Sequence, residues 1–466
     1  MSIRTPKKIQ SNWSQIWLAG SCSMLQTIQI SIYMSSMWPY LKTLDPSIKE
    51  TKYGWVMAFA SLGQCIGSPL MGLLAGKIEK IRFFLSIGLL LRLISHLLYL
   101  SLPLLTSGFA IFMAAARFTA GLGSGNTPLL RYFATTKSNR EHRASAMAIL
   151  SAGSSLGGMI GPGVHFLYSL LVAHFHAMSG SVLNNYSFPA WFSSITTLIA
   201  LPVVFLLRPN TGIDENDASI EENSTDSKED VIEVESNNYA MFIALLTRFT
   251  QGIVQSSLDT VSTPYFMAVY GYSKTETVRI FSLCKTMIGF LSVMVFIFVI
   301  FGKRLNKIPP HFILSVTICL AIIYQLSIYP WSFMPNYANY PKVNNETFNL
   351  NNKAPLPIVS DELLHQRASS PWVYLIGFVV LYGCIIPMQI VTAVTVYSKC
   401  LTFRHGFFFG IYEFTYYLAI IISPIISMYL YTHGGASYVW KLLLSALMLN
   451  FTILCIFYKK LAKVSI

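Results

Sequence analysis

Twelve long apolar segments recur along this chain of 466 residues, and they constrain its fold more than any other feature. A helix needs about 20 apolar residues to cross the hydrocarbon core of a bilayer, and only helices and closed barrels satisfy their backbone groups there. The approximate cores of the segments are residues 15–40, 53–75, 83–104, 108–130, 144–172, 188–207, 239–270, 277–301, 310–330, 372–398, 406–431 and 437–458. The first is too long for a signal peptide. The sequence therefore predicts an all-α polytopic membrane protein with twelve transmembrane helices.

Composition excludes several classes of protein. Charged residues make up 11% of the chain, against about 25% in soluble proteins, so a soluble enzyme is not expected. The seven cysteines lie in or beside apolar segments, without the spacing of a disulfide framework or a zinc site. No nucleophile–base pair stands out. The net charge of +13 resides mainly in short loops, which favours lipid headgroups over nucleic acid as the partner. We predict neither enzyme activity nor a metal or cofactor.

One acidic, hydrophilic segment divides the apolar segments into six and six. Residues 208–238 contain ten of the 20 acidic residues of the chain. Because such a composition cannot bury a core, we predict a disordered cytosolic linker there, with adaptor binding as an alternative role. The flanking residues 1–207 and 239–466 would then form two six-helix, pseudo-symmetric bundles. Two such halves are typical of secondary transporters, with the solute site between them.

The distribution of basic residues predicts the orientation. If the N-terminus is cytosolic, 20 lysines and arginines lie on the cytosolic side and nine on the other. The positive-inside rule therefore places both termini in the cytosol. The long loop 331–370 then lies on the luminal or external side. Asn185 and Asn345 begin sequons that face the same side and are candidates for glycosylation.

Polar side chains follow one face of the seventh apolar segment. Arg248, Gln251, Gln255 and Asp259 are spaced by three or four residues, so they share a helix face. The first segment repeats this pattern with Gln26, Gln29 and Tyr33, and the tenth contributes Gln389. Lipid would penalise such faces, whereas a water-filled cavity would solvate them. These residues are therefore the candidates for lining a solute cavity.

Ionisable residues within the apolar segments are costly and mark candidate functional groups. The bases are Arg92, Arg117, Arg248 and Lys285, and the acids are Asp259 and Glu413. We expect Glu413 to pair with Lys285, so that the remaining arginines favour an anionic solute or chloride. Arg117 and Arg248 would attract the solute, and Asp259 and Glu413 would balance the charge or carry a coupled proton.

Small residues recur at helical spacing where helices must approach closely. Gly157 and Gly161 are four apart in the fifth segment, with Pro162 directly after them, and Gly121 and Gly125 are four apart in the fourth. We predict tight helix packing at these positions and a kink at the proline.

Three of these patterns together resemble the major facilitator superfamily. The sequence Arg117-Phe-Thr-Ala-Gly-Leu-Gly-Ser-Gly125 is similar to the fourth-span motif of that family, and Gly157-Gly-Met-Ile-Gly-Pro162 to its fifth-span motif. The loop motif Gly72-Leu-Leu-Ala-Gly76-Lys has glycine in place of the usual aspartate, which removes one member of the charge pair that the family usually builds there. The resemblance implies a twelve-helix fold with a cavity lined by the first, fourth, seventh and tenth spans.

Further segments resemble an endolysosomal branch of the same superfamily. They are Ser36-Met-Trp-Pro-Tyr-Leu41, Gly54-Trp-Val56, Tyr397-Ser-Lys399 and Tyr431-Thr-His-Gly434. This resemblance implies residence in the late endosomal or lysosomal membrane. We therefore predict an alternating-access transporter of a small anionic solute. A channel-like anion or chloride conductance in the same fold and a non-transporting membrane adaptor or scaffold are the alternatives.

Overall fold

The computed structural model describes residues 11–33, 36–45, 48, 50–75, 80–175, 184, 186–208, 228–272, 274–302, 308–334, 367–401 and 405–465. Its sixteen α-helices are α1 (Trp13–Ser31), α2 (Met37–Leu44), α3 (Glu50–Ala75), α4 (Ile81–Leu100), α5 (Phe109–Gly123), α6 (Asn126–Thr136), α7 (Arg143–Phe175), α8 (Phe188–Leu206), α9 (Lys228–Val269), α10 (Lys274–Phe301), α11 (Pro310–Ile328), α12 (Pro371–Val380), α13 (Ile386–Cys400), α14 (His405–Gly434), α15 (Ala436–Ile456) and α16 (Tyr458–Ser465). A π-helical turn, Leu381–Ile385, joins α12 to α13. The described residues contain no strand, as predicted.

The twelve predicted crossings are present, although three of them are unusual. Nine helical segments of the described part are long and apolar enough to cross a membrane. The other three crossings are the first (α1 and α2), the fourth (α5 and α6) and the seventh (α9). The first and fourth are interrupted helices, and all three carry polar groups that sequence analysis assigned to a cavity. Interruption of the helix in the first and fourth crossings, and polar side chains in all three, therefore distinguish them from the other nine.

The two halves repeat one packing scheme. In the N-terminal lobe α1 packs on α7 and α3 on α5; in the C-terminal lobe α9 packs on α14 and α10 on the π-helical crossing. A pair of serines lies at the same contact in each lobe. Ser23 of α1 and Ser154 of α7 are 2.7 Å apart (Oγ–Oγ), and Ser257 of α9 and Ser423 of α14 are 2.6 Å apart. The predicted pair of pseudo-symmetric six-helix bundles accounts for this repetition.

Glycines allow the closest of these helix approaches. A Cβ on Gly121 would overlap the carbonyl oxygen of Ala60, and one on Gly125 would overlap that of Gly67, so α5 and α6 pack directly on the backbone of α3. Gly157 meets the Met24 carbonyl oxygen of α1 in the same way. Gly161 meets the hydroxyl of Ser31, and Pro162 lies within α7 directly after it. The structure thus places the predicted small residues where helices touch.

One end of the bundle carries both described chain ends, and we call it the terminal face. There the amide of Asn12 donates to the Lys137 carbonyl at 2.9 Å, and the amide of Arg208 donates to Gln15 Oε1 at 2.7 Å. The short helix α16 packs on α9 at the same end, with its Lys460 Nζ 4.1 Å from the ring centroid of Tyr239.

The two lobes are in close contact at the terminal face. Gly72 of α3 lies so near Gly406 of α14 that a Cβ on Gly72 would overlap the Gly406 carbonyl oxygen. Arg143, at the start of α7, donates to the Ser398 carbonyl of α13 at 2.6 Å. At the opposite face, by contrast, the buried apolar cluster around Tyr99 contains N-lobe residues alone. The described conformation is therefore closed at the terminal face, and we infer that the cleft between the lobes leads to the opposite face.

The helix of the seventh crossing begins earlier than the sequence indicated. We expected disorder up to residue 238, but α9 already begins at Lys228. A composition that cannot bury a core does not prevent the helix of a crossing from extending beyond the membrane, so the predicted linker is shorter at this end. The remainder of the predicted linker, residues 209–227, lies outside the described residues, as do Asn185, Asn345 and loop residues 335–366.

Candidate functional site: a polar cleft between two lobes

A half-exposed ion pair lies at mid-depth in the C-terminal lobe. Lys285 Nζ is 2.6 Å from Asp259 Oδ1, and the two side chains are 49% and 44% exposed. Asp259 lies ten residues before the end of α9, which is about 15 Å along the helix axis and so near the bilayer centre. Gly289, one turn beyond Lys285 on α10, faces Met159 of the N-terminal lobe. The pair therefore lies on the side of α10 directed to the other lobe, where its exposure requires water rather than lipid.

The π-helical turn shapes the wall beside this pair. Such turns insert one extra residue and are frequent at functional sites. Tyr382, within the turn, lies with its ring centroid 4.9 Å from Lys285 Nζ, and its hydroxyl donates to the Gln255 carbonyl at 2.6 Å. Phe378, whose ring centroid lies 4.5 Å from that of Tyr382, is 5.6 Å from the same ammonium. Two aromatic faces thus hold the lysine where the cleft reaches it.

Three charged residues form a second, buried cluster nearer the terminal face, which we call the ion triad: Arg131, Glu413 and Arg248. Glu413 is 1% exposed, and its two carboxylate oxygens lie 3.0 Å from Arg131 and 3.2 Å from Arg248. Arg131 belongs to α6 of the N-terminal lobe, whereas Glu413 and Arg248 belong to α14 and α9 of the C-terminal lobe. The triad is therefore an ionic contact across the closed end of the cleft.

This arrangement corrects one expected pairing. Glu413 does not pair with Lys285, because Lys285 pairs with Asp259 and Glu413 with the two arginines. The predicted fourth apolar segment ended at residue 130, so Arg131 was assigned to a loop and was not considered as a partner of Glu413. In the structure it lies within α6. The guanidinium of Arg248 also lies 3.8 Å from the ring centroid of Tyr416 and donates to Gln251 Oε1 at 3.2 Å.

Two of the predicted cavity residues face the interior of the C-terminal lobe instead of the cleft. Gln251 Nε2 donates to Gln389 Oε1 at 3.2 Å. Both side chains line a cavity of about 10 Å³ together with Asn450 of α15, which is space for about one water molecule. Their amides satisfy each other across α9 and α13, so in this conformation they support the site without lining the cleft.

Arg92 is the structural centre of the N-terminal lobe. It is 2% exposed, and its guanidinium donates to the carbonyl of Gln26 at 2.6 Å and to Gln29 Oε1 at 3.4 Å. The same group donates to the Gly123 carbonyl and the Ser124 hydroxyl, where α5 ends and the fourth crossing is interrupted. Neutral oxygens from two crossings, the first and the fourth, thus hold this charge, which gives Arg92 a structural role.

Arg117 and Tyr33 lie together on the opposite-face side of Arg92. The guanidinium carbon of Arg117 is 5.9 Å from the ring centroid of Tyr33, whose hydroxyl is 2.8 Å from His96 Nδ1. The Nε2 donors of Gln26 and Gln29 are buried and make no hydrogen bond within the described residues. Because the spans of this lobe contain bases but no carboxylate, this region can accept negative charge but cannot neutralise positive charge.

Two contributors to the site were missed by sequence reasoning, Arg131 and Tyr416, and the π-helical turn that carries Tyr382 was not expected. Tyr416 belongs to a pattern typical of apolar cores, and a π-helical turn has no compositional signature. Arg131 could have been found by its position, since it lies only six residues beyond Gly125 of the fourth-span glycine pattern and therefore still within that crossing.

The fold defines the chain as a two-lobed, twelve-span membrane protein of the transporter class. The sequence model of the Major Facilitator Superfamily matches residues 19–340, and the chain belongs to that superfamily. A curated relative, "Major facilitator superfamily domain-containing protein 8" of Xenopus laevis, is 25% identical and is matched over 98% of this chain and 94% of its own length.

Solved structures show the same fold. The human organic anion transporter MFSD10 (TETRAN) superposes with a TM-score of 0.62 and 15% identity, covering 95% of this chain and 98% of the other. The proton:xylose symporter XylE superposes with a TM-score of 0.65 and 15% identity, covering 94% of each chain.

Proposed function

We propose that this protein carries a small anionic solute across its membrane by alternating access, with the cleft between the lobes as the solute site. The observation that carries the proposal is the half-exposed Lys285–Asp259 pair near the bilayer centre. A charged pair at that depth is costly in lipid and is typical of a water-filled solute path.

Charge supports an anion as the solute. The buried arginines Arg92 and Arg117 have no carboxylate in the spans of their own lobe, while the ion triad combines two arginines with one glutamate. The amide donors of Gln26 and Gln29, which are buried and unsatisfied within the described residues of the same lobe, add further hydrogen-bond donors. Such a set stabilises an acceptor-rich ligand such as a carboxylate. The organic anions named for the structural neighbour MFSD10 belong to that class.

We propose that the terminal face is cytosolic and that the cleft opens to the lumen of a late endosome or lysosome. The positive-inside count supports the first statement, and the resemblance of segments such as Ser36–Leu41 and Tyr431–Gly434 to an endolysosomal branch of the superfamily supports the second. A fluorescent fusion at the C-terminus should co-localise with lysosomal markers in animal cells. Exclusive staining of the plasma membrane would contradict this location.

The transport proposal can be tested in proteoliposomes. Concentration jumps of small carboxylates, sulfate and chloride on a solid-supported membrane should produce saturable currents for at least one anion. Because Arg117 contributes charge on the N-lobe wall, Arg117→Gln should lower transport efficiency about 10- to 100-fold, as expected for a lost charged contact. Arg117→Lys should retain part of the activity.

The control is Lys441→Gln, which removes an exposed base at the start of α15. Transport restricted to neutral sugars, or wild-type anion currents in Arg117→Gln, would overturn the proposal. Unitary current steps in place of slow saturable currents would instead favour an anion channel in the same fold.

A further inference from the structure

Tyr416 of α14 lies between the ion triad and the half-exposed Lys285–Asp259 pair. Its ring centroid is 3.8 Å from the guanidinium carbon of Arg248, a member of the triad. Its hydroxyl donates to Gln255 Oε1 at 2.7 Å. One side chain therefore contacts a charged member of the gate through its ring and a residue of the cleft wall through its hydroxyl.

Gln255 continues the connection to the solute site. Its backbone carbonyl accepts a hydrogen bond from Tyr382 at 2.6 Å, and the Tyr382 ring lies 4.9 Å from Lys285 Nζ. The contacts thus form an unbroken path from the exposed lysine to Arg248 and onward to the inter-lobe contact of Glu413 with Arg131.

We propose that Tyr416 is a positioning residue that couples occupancy of Lys285 to opening of the terminal face, an inference that rests on the proposed transport function. An anion bound to Lys285 draws the ammonium away from Asp259 and from the ring of Tyr382. The displacement passes through Gln255 to the hydroxyl of Tyr416, and the tilt of the Tyr416 ring withdraws its support from the Arg248 guanidinium.

A claim of coupling requires a structural element with two states. Here that element is the contact between the two lobes at the terminal face. In one state Glu413 joins the two lobes through Arg131 and Arg248; in the other the lobes separate at the terminal face. Arg248 and Glu413 are 5% and 1% exposed, so a small change in their alignment alters a desolvated ion pair, which is sensitive to geometry.

A cysteine reporter of the terminal face tests this proposal without measuring transport. Ser68 of α3 is completely buried at the inter-lobe contact, where its carbonyl oxygen would lie 2.6 Å from a Cβ on Gly410 of α14. In protein lacking its seven native cysteines, Ser68→Cys should react with a polar maleimide only when the lobes separate. Lipid nanodiscs expose both faces to the reagent.

The perturbation is Lys285→Ala, which removes the charge that a solute would engage. With Tyr416 intact it should accelerate labelling of Ser68→Cys about 5- to 10-fold, the lower range of coupling between sites. In the Tyr416→Phe background, where the ring remains but the hydroxyl is absent, the same change should alter labelling less than about twofold, since the hydrogen bond that transmits it is lost. Gln255→Met should reproduce the effect of Tyr416→Phe.

The matched control is Tyr417→Phe, the next residue on α14, whose ring lies 5.6 Å from that of Tyr416. It should leave the effect of Lys285→Ala intact. An equal acceleration with and without the Tyr416 hydroxyl, or no acceleration in either background, overturns the coupling. Failure of anion transport with coupled labelling would reject the proposed solute and leave the role of Tyr416 standing.

Discussion

Replacement of Glu413 by glutamine should open the terminal face. The carboxylate lies 3.0 Å from Arg131 and 3.2 Å from Arg248. With an effective dielectric constant near 20, Coulomb's law gives about 5 kcal/mol of attraction for each contact. Desolvation of three buried ions offsets most of this attraction, so a net contribution of about 2 kcal/mol per charged contact is reasonable.

Of the two contacts of Glu413, only the one with Arg131 joins the two lobes. Only the free energy of that contact therefore changes the balance between the closed and open states of the terminal face. A loss of about 2 kcal/mol corresponds to a roughly 30-fold increase in the population that is open at the terminal face. Maleimide labelling of Ser68→Cys in nanodiscs should accelerate by a similar factor in Glu413→Gln. The control is Glu141→Gln, which neutralises an exposed carboxylate of the loop before α7.

The outcome separates two roles of Glu413. If the carboxylate only stabilises the C-terminal lobe, Glu413→Gln would lower the melting temperature and leave labelling unchanged, which would refute the gate argument. The charge exchange Arg131→Glu with Glu413→Arg should restore slow labelling only if the inter-lobe contact is the decisive one.

Three further substitutions separate packing, structural charge and transport. Gly157→Leu should lower the melting temperature by several degrees in a thermal scan, since its side chain would collide with the α1 backbone, whereas Gly163→Ala, which has open space, should be neutral. Arg92→Met should cost about 2–4 kcal/mol of stability in denaturant titration, because buried carbonyl groups lose their donor. Asp259→Asn should change the free energy of unfolding by less than about 1 kcal/mol, since its ion pair is half-exposed. If this carboxylate carries the coupled proton, the same substitution should abolish solute accumulation driven by a proton gradient.

Features with a local cause were predictable from the sequence. The crossings follow from apolar length, and the close approach of α1 to α7 follows from glycines four residues apart. Arg248, Gln255 and Asp259 were predicted to share one face of a helix, and they do lie along α9. Such features depend on the period of a helix and on the cost of polar groups in lipid, both of which are properties of short segments.

Features that depend on how two lobes meet were not predictable. The partner of Glu413 is decided by the docking of α6 against α14, and no segment of the sequence records that contact. Periodicity placed Gln251 and Gln255 on one face of the helix. It could not show that Gln251 would face the interior of the lobe and Gln255 the cleft. A helix face about 100° wide contacts both environments. The helices packed against it therefore decide which of its residues faces which environment.

The place of the ion triad has a consequence for how the gate responds to its surroundings. The loop motif Gly72–Lys77 lacks the aspartate with which its superfamily usually locks this end, and charges in such a loop would be screened by salt. Here the lock is instead a carboxylate 1% exposed within the membrane-spanning part of α14. Salt should therefore affect it little, whereas a ligand or proton that reaches it through the cleft changes its charge balance directly. A gate buried in this way would respond to what occupies the cleft, which is the property that the proposed alternating access requires.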